Sequence, residues 1–216
     1  MKDKWALVSD FDGTISDDDF FWFVVDRYLT PDDLEPWNRY LRGEISHLDA
    51  MRGVFAKIHI PEAELLAFID TIRVDKNFAA AAELCRRRGM PVYISSAGSD
   101  YYIRRLIGKV IDDNHVHLVT NHGVYSQERG LELFPPADGP FYDPDVGISK
   151  AGVVRALQQQ GYKVVLAGDG PPDFAPAQIA DVVFAKKFLL EKCREANIKT
   201  QPFTTFGDVI NYLKEV

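Results

Sequence analysis

The chain has 216 residues, 46% of them hydrophobic and 26% charged, a composition that excludes a disordered, collagen-like or coiled-coil protein. A chain of this size buries enough core to fold without metal or disulfide staples. Its net charge of −7 argues against a nucleic-acid surface, which needs clustered positive charge.

In chain order, residues 5–9 form a short apolar run that ends at Asp10, and they predict a buried strand. Acids crowd around it: residues 1–35 carry ten acids and three bases, which accounts for the whole net charge. Residues 17–74 read as mainly helical, with breaks at Pro31, Pro36, Gly43 and Pro61. Ser46 and Asp49 have the spacing of a capping box, and Pro61 with Glu62 and Glu64 suits a helix start. From Asp75 the texture changes. Phe78, Ala81, Ala82 and Cys85 recur at helical spacing, with Gly89 as the stop. Residues 91–95 predict a second buried strand. Residues 100–110 predict a helix with Tyr101, Tyr102, Leu106 and Ile107 on apolar faces. Residues 116–134 suggest small strands with turns, and 135–147 a loop rich in Pro, Gly and Asp. A helix over 149–160 stops at Gly161. A third strand over 163–167 ends at Gly168-Asp169. A helix near 173–180, a strand over 181–185 and a helix near 186–196 complete the pattern.

Alternating strands and helices imply an α/β fold with a doubly wound, Rossmann-like parallel sheet. In such sheets the site lies beyond the carboxyl ends of the strands. Three strand ends carry Asp10, Ser96 and Asp169.

The compartment is expected to be the cytoplasm. The apolar stretch at residues 20–25 is far short of the roughly 20 residues that a membrane span needs. Residues 6–8 are too few for the apolar centre of a secretory signal. The two cysteines, Cys85 and Cys193, form no C-x-x-C pair and read as buried helical thiols. No membrane or nucleic-acid partner is expected.

The strand ends carry chemistry. Asp10 and Asp12 place two carboxylates at i and i+2, and keeping both ionised requires a nearby cation. Mg²⁺ is such a cation, since it binds through one or two carboxylates and shares its remaining ligands between water and phosphate. Asp169 repeats the pattern, with Asp173 four residues on. The run Ser95-Ser96-Ala97-Gly98-Ser99 opens a helix with small hydroxyl residues, a cradle for an anion. Ser149-Lys150 opens another. Each segment alone has a structural explanation: Asp-Gly turns and Ser or Asp caps are common, and a lone lysine is usually solvated. His47, His59, His115, His117 and His122 show no metal-ligand pattern, although His115 and His117 would share one side of a strand. Arg86-Arg87-Arg88 reads as a solvated helix end, with a phosphate-binding patch as the alternative.

In order and character, Asp10-Phe11-Asp12-Gly13-Thr14, Ser96, Lys150 and Gly168-Asp169 with Asp173 resemble the four motifs of the haloacid dehalogenase superfamily of phosphohydrolases. The resemblance spans the chain. It implies a Mg²⁺-dependent phosphatase acting on a small phosphorylated metabolite. Asp10 would be the nucleophile, forming an aspartyl-phosphate, and Asp12 the general acid and base. Ser96 and Lys150 would bind phosphate. Asp10, Asp169 and the backbone carbonyl of Asp12 would hold the metal, and Asp173 would support it. Thr14 would organise the loop. Halide-removing relatives lack the second Asp, and transport ATPases carry Thr there, so Asp12 points to a phosphatase. A phosphoserine phosphatase, a phosphomutase and a non-catalytic binding protein remain as alternatives.

The resemblance divides the chain into a core (residues 1–16 and 75–216) and an inserted helical cap (17–74), as in the phosphoserine phosphatase-like branch. Asp19 stands where that branch carries a substrate-facing Glu. Arg52 lies in the region of the branch's carboxylate-binding arginine, but two residues from the expected place, which holds Val54. One or two of Phe20, Phe21, Trp22 and Phe23 would wall the pocket. Residues 75–78, 93–102 and 183–195 are also similar to the 2-hydroxy-3-keto-5-methylthiopentenyl-1-phosphate phosphatases of methionine salvage. The cysteine-rich stretch that those enzymes can show before the third motif is replaced here by residues 135–140.

Overall fold

The computed structural model describes residues 3–216. Strand β1 (Lys4–Ser9) lies at the middle of the sheet, so both of its faces are covered and Ala6, Leu7 and Val8 are wholly buried. The chain then leaves the sheet. Helix α1 (Phe20–Tyr28) is capped by Asp19, whose carboxylate accepts from the Phe21 amide. A 3-10 turn at Pro31–Leu34 leads to α2 (Glu35–Leu41). Helix α3 (His47–Phe55) starts at Ser46, whose Oγ accepts from the Asp49 amide at 3.1 Å. Helix α4 (Glu62–Ile69) follows Pro61, which stands at the cap rather than in the first turn. At the neck of this helical excursion, Ser16 bridges Val74, and Asp75 donates its amide to Ile15 at 2.9 Å.

The chain returns through α5 (Asn77–Arg87), β2 (Val92–Ser99), α6 (Asp100–Asn114), β3 (His117–Ser126) and β4 (Gly130–Phe134). A small hairpin, β5 (Tyr142–Asp143) and β6 (Gly147–Ile148), interrupts the segment expected to be loop. Then come α7 (Lys150–Gln159), β7 (Tyr162–Gly168), α8 (Phe174–Ala177), β8 (Val182–Ala185), α9 (Lys187–Glu195), β9 (Gln201–Pro202) and α10 (Phe206–Glu215). The seven-stranded sheet has the order β4-β3-β2-β1-β7-β8-β9 and is parallel except for the β3–β4 pair. This is the expected α/β doubly wound architecture. One face of β1 packs Leu7 into a cluster with Phe78, Ile94, Tyr102 and Phe206, which continues into Phe20 and Phe55 of the helical excursion. The other face packs Ala6 and Val8 against Val153, Leu157 and Leu189.

Three further details differ from the sequence expectations. Strand β2 continues past residue 95 to Ser99, with a register shift against β3 between Ser95 and Ser99. Strand β9 and helix α10 occupy a tail for which no element was predicted. His115 is not on a strand with His117. It ends α6 in the left-handed conformation, φ 53°, while His117 stacks on Tyr93 at 4.4 Å. The expected solvated helix end is seen: Arg86, Arg87 and Arg88 are all exposed at the end of α5, and Arg88 also donates to the carbonyls of Leu213, Lys214 and Val216. No described helix is long and apolar enough to cross a membrane.

Candidate active site

The carboxyl ends of β1, β2 and β7 converge beneath the helical excursion. Asp10 follows β1 directly, and its amide donates to Ala167 of β7 at 2.9 Å. Its Oδ1 accepts from the Phe11 amide at 2.7 Å and its Oδ2 meets Lys150 Nζ at 2.7 Å. Lys150 is the first residue of α7, placed by the Ser149 cap, and it is only 5% exposed. It also donates to Asp173 Oδ1 at 2.7 Å. Asp173 Oδ2 accepts from the amides of Asp169 and Gly170, so Asp173 holds both the lysine and the loop after β7. Asp169 accepts from Thr14 Oγ1 at 2.9 Å and pairs with Lys187 at 3.1 Å. Gly13 permits this closeness. Its φ is +71°, and a Cβ there would collide with Asp169 and lie 2.8 Å from Lys187 Nζ.

Asp12 points to the other side of the same cavity. Its Oδ1 accepts from the Phe20 amide at 3.1 Å, and its Oδ2 accepts from Tyr102 Oη at 2.6 Å and faces Ser96 Oγ at 3.4 Å. Asp19 lines the cavity while capping α1. Asp10, Asp12, Asp19, Ser96, Lys150 and Asp169 thus share one cavity of about 530 Å³, with Asp173 buried behind it.

Arg52 is the exception, and the expectation for it is corrected. Its guanidinium donates to the Leu133 carbonyl at 2.9 Å and lines a different groove, with Glu128, Arg129 and Phe134. Helix α3 turns its Met51 face to the cavity, so the next residue points toward β4. Val54 is wholly buried in the core and supplies no cation either.

Burial raises the Asp10 carboxyl well above the usual range, with the Asp173 charge adding to the effect and Lys150 opposing it. Asp12 is pushed up to about 7, first by burial and then by Asp19. Burial and Asp173 also raise Asp169. Burial alone would lower Lys150, but Asp10 and Asp173 outweigh it and raise its pKa, so it stays an ammonium ion. The site is an excess of buried carboxylate around one buried cation. The donor set fits a hard divalent cation: it consists of oxygen atoms only, and one oxygen from each of Asp10, Asp169 and Asp173 lies within 4.8 Å of the others.

Several lining residues had no sequence signal of their own. Tyr102 read as an apolar helix position, yet its hydroxyl reaches Asp12. Its place three residues after Ser99, the cap of α6, was the available clue. Trp37, Tyr40 and His47 come from α2 and α3, and they join Phe21 and Trp22 of α1. The expectation of one or two aromatic wall residues within 20–23 therefore falls on Phe21 and Trp22. Among the described residues lining the cavity, Lys150 is the single lysine or arginine.

A Rossmann-like sheet with Asp-x-Asp, Ser and Asp toward the carboxyl ends of its strands, and a Lys at the start of a flanking helix, defines a class. The family model described as haloacid dehalogenase-like hydrolase matches residues 7–178, and the chain belongs to that family. A 2-hydroxy-3-keto-5-methylthiopentenyl-1-phosphate phosphatase of Geobacillus thermodenitrificans (strain NG80-2) is 30% identical, over 100% of this chain and 98% of its own. One of the same name from Bacillus cereus (strain G9842) is 27% identical, over 96% and 94%. Among solved structures, a substrate-bound phosphoserine phosphatase has a TM-score of 0.68 at 15% identity, covering 98% of this chain and 99% of its own. That likeness shows the fold.

Proposed function

We infer that this enzyme is a Mg²⁺-dependent phosphomonoesterase that works through an aspartyl-phosphate on Asp10. The observation that carries this reading is the buried Asp10–Lys150–Asp173 chain beside Asp169, opening into a cavity that Asp12 faces. Residues 1–16 and 75–216 form the catalytic core in this reading, and 17–74 a cap that closes the leaving-group side.

Asp10 attacks phosphorus, and the bond to the leaving oxygen breaks. Asp12 gives that oxygen its proton, then takes one from the water that hydrolyses the aspartyl-phosphate. Ser96 donates to the phosphoryl group. Lys150 offsets charge on Asp10 and on the phosphate. Asp10, Asp169 and the backbone carbonyl of Asp12 would hold Mg²⁺, with Asp173 supporting. When bound, the metal neutralises carboxylate and phosphate charge. Without it, the crowded carboxylates repel a phosphate dianion.

The cavity also bears on the substrate. Its cap side is built from Phe21, Trp22, Trp37, Tyr40 and Met51, with His47 as a polar side chain among them. Burial lowers the His47 pKa, which favours a neutral imidazole. An amino-acid carboxylate finds no cap cation among these residues, whereas an apolar thioether tail fits them. This favours the substrate in the names of the methionine-salvage relatives over phosphoserine. In a Mg²⁺-dependent assay, the methylthio ester is expected to be turned over with higher kcat/KM than phosphoserine, and chelation is expected to abolish both. A preference for phosphoserine would sink the substrate reading. Trp37→Ala is expected to raise KM for the methylthio ester about tenfold, the worth of a lost aromatic contact, with little change in kcat.

The raised carboxyls have a linkage consequence. Asp10, Asp12 and Asp169 hold protons in the folded state at pH values where the unfolded chain, with carboxyls near 3.8, has lost them. Stability of the metal-free protein therefore falls as pH rises from about 4 through about 7. Mg²⁺ competes with those protons and relieves the repulsion. The gain in Tm on adding Mg²⁺ is expected to be larger at pH 8 than at pH 5, and a thermal melt at each pH checks it.

A further inference from the structure

A carboxyl that must hand a proton to one particular oxygen needs a fixed plane, yet the bond carrying a carboxylate rotates easily. Asp12 is held at both of its oxygens. The Phe20 amide, at the start of α1, donates to Oδ1 at 3.1 Å, and the Tyr102 hydroxyl, from α6, donates to Oδ2 at 2.6 Å. Rotation would break both bonds. The tyrosine cannot drift, because its ring is 1% exposed and stacks on Phe20 at 4.1 Å with 20° between planes. Strand β2 leaves room for the hydroxyl at one point. A Cβ on Gly98 would collide with Tyr102 Oη and lie 2.9 Å from Asp12 Oδ2. Phenylalanine would fill the ring's place equally well, so core packing alone does not account for a hydroxyl here.

We propose that Tyr102 is a positioning residue that fixes the Asp12 carboxyl for proton delivery to the leaving oxygen. The inference rests on the reading of Asp12 as general acid. As the P–O bond breaks, the proton on Asp12 passes to the leaving oxygen, and the tyrosine keeps its own proton throughout. Its contribution therefore depends on the leaving group. A departing alkoxide needs that proton, whereas p-nitrophenolate leaves without it.

The test compares kcat/KM, which excludes the later hydrolysis of the aspartyl-phosphate, for n-pentyl phosphate and p-nitrophenyl phosphate in Mg²⁺. For Tyr102→Phe, n-pentyl phosphate is expected to lose about tenfold or more and p-nitrophenyl phosphate less than about twofold. The Tm should hold to within a few degrees. In an Asp12→Asn background, adding Tyr102→Phe should change n-pentyl phosphate hydrolysis no further, since the group it positions is gone. An equal loss on both substrates, or no loss on either, overturns the proposal. If Asp12→Asn is inactive toward n-pentyl phosphate and Tyr102→Phe is normal, the role of Tyr102 alone fails. If Asp12→Asn hydrolyses n-pentyl phosphate normally, the general-acid reading fails and the proposal falls with it.

Discussion

Asp10→Asn is expected to abolish phosphatase activity, by roughly 10⁴-fold or more, with the fold intact. An amide cannot form the aspartyl-phosphate, and no neighbour can replace it, since Asp173 is tied to Lys150 and to two backbone amides. The substitution keeps the side-chain shape and can still accept from the Phe11 amide. It also removes a carboxyl that burial already holds well above its usual pKa, so the metal-free protein should not lose stability. The measurement is kcat on p-nitrophenyl phosphate beside a thermal melt, with and without Mg²⁺. Activity within tenfold of wild type would refute the nucleophile assignment, and a collapsed melt would mean that the variant tests folding instead.

Lys150→Ala should have the largest effect on stability. The ammonium lies 2.7 Å from both Asp10 and Asp173, with its side chain only 4% exposed. Its loss leaves two buried carboxylates facing each other, with Asp169 nearby. Breaking a buried pair in this way costs about 3–5 kcal/mol. The carboxyls can escape part of that cost by taking up protons, so the loss should be greater at pH 8 than at pH 5. Activity should fall as well, because the phosphate loses its buried protein cation. Urea unfolding at the two pH values checks the prediction. An unchanged midpoint at pH 8 would show that the buried lysine does not hold the site together.

Much of the fold was legible because the signals are local. Residues 5–9 and 91–95 are apolar runs ending in a serine, and 164–167 is an apolar run that stops at Gly168-Asp169, which is how a strand buried on both faces must look. Asp10, Ser96 and Asp169 could be placed at one edge because parallel strands all present their carboxyl ends there. The tail was less legible. Gln201–Pro202 is too short for a periodic pattern, and its strand exists because Phe184 and Ala185 of β8 offer it a partner.

Residue types and their order along the chain were enough to read the family resemblance, the alternation of strands and helices, and the identity of the core motif residues. The sequence did not determine their states. Lys150 reads as a solvated lysine until α7 is seen to bury it between two carboxylates. Asp12 is named in sequence as a general acid and base only by resemblance, and it is burial and Asp19 that raise its carboxyl to about 7. Arg52 and Tyr102 went opposite ways for one reason. Spacing along a helix says which residues share a face, but packing decides what that face meets. For Arg52 it was the Leu133 carbonyl, and for Tyr102 it was Asp12. The cluster of N-terminal acids was visible from composition alone. That the tertiary structure sets Asp10, Asp12 and Asp19 around one cavity beside Asp169, with Lys150 as its buried cation, is what makes those charges a site.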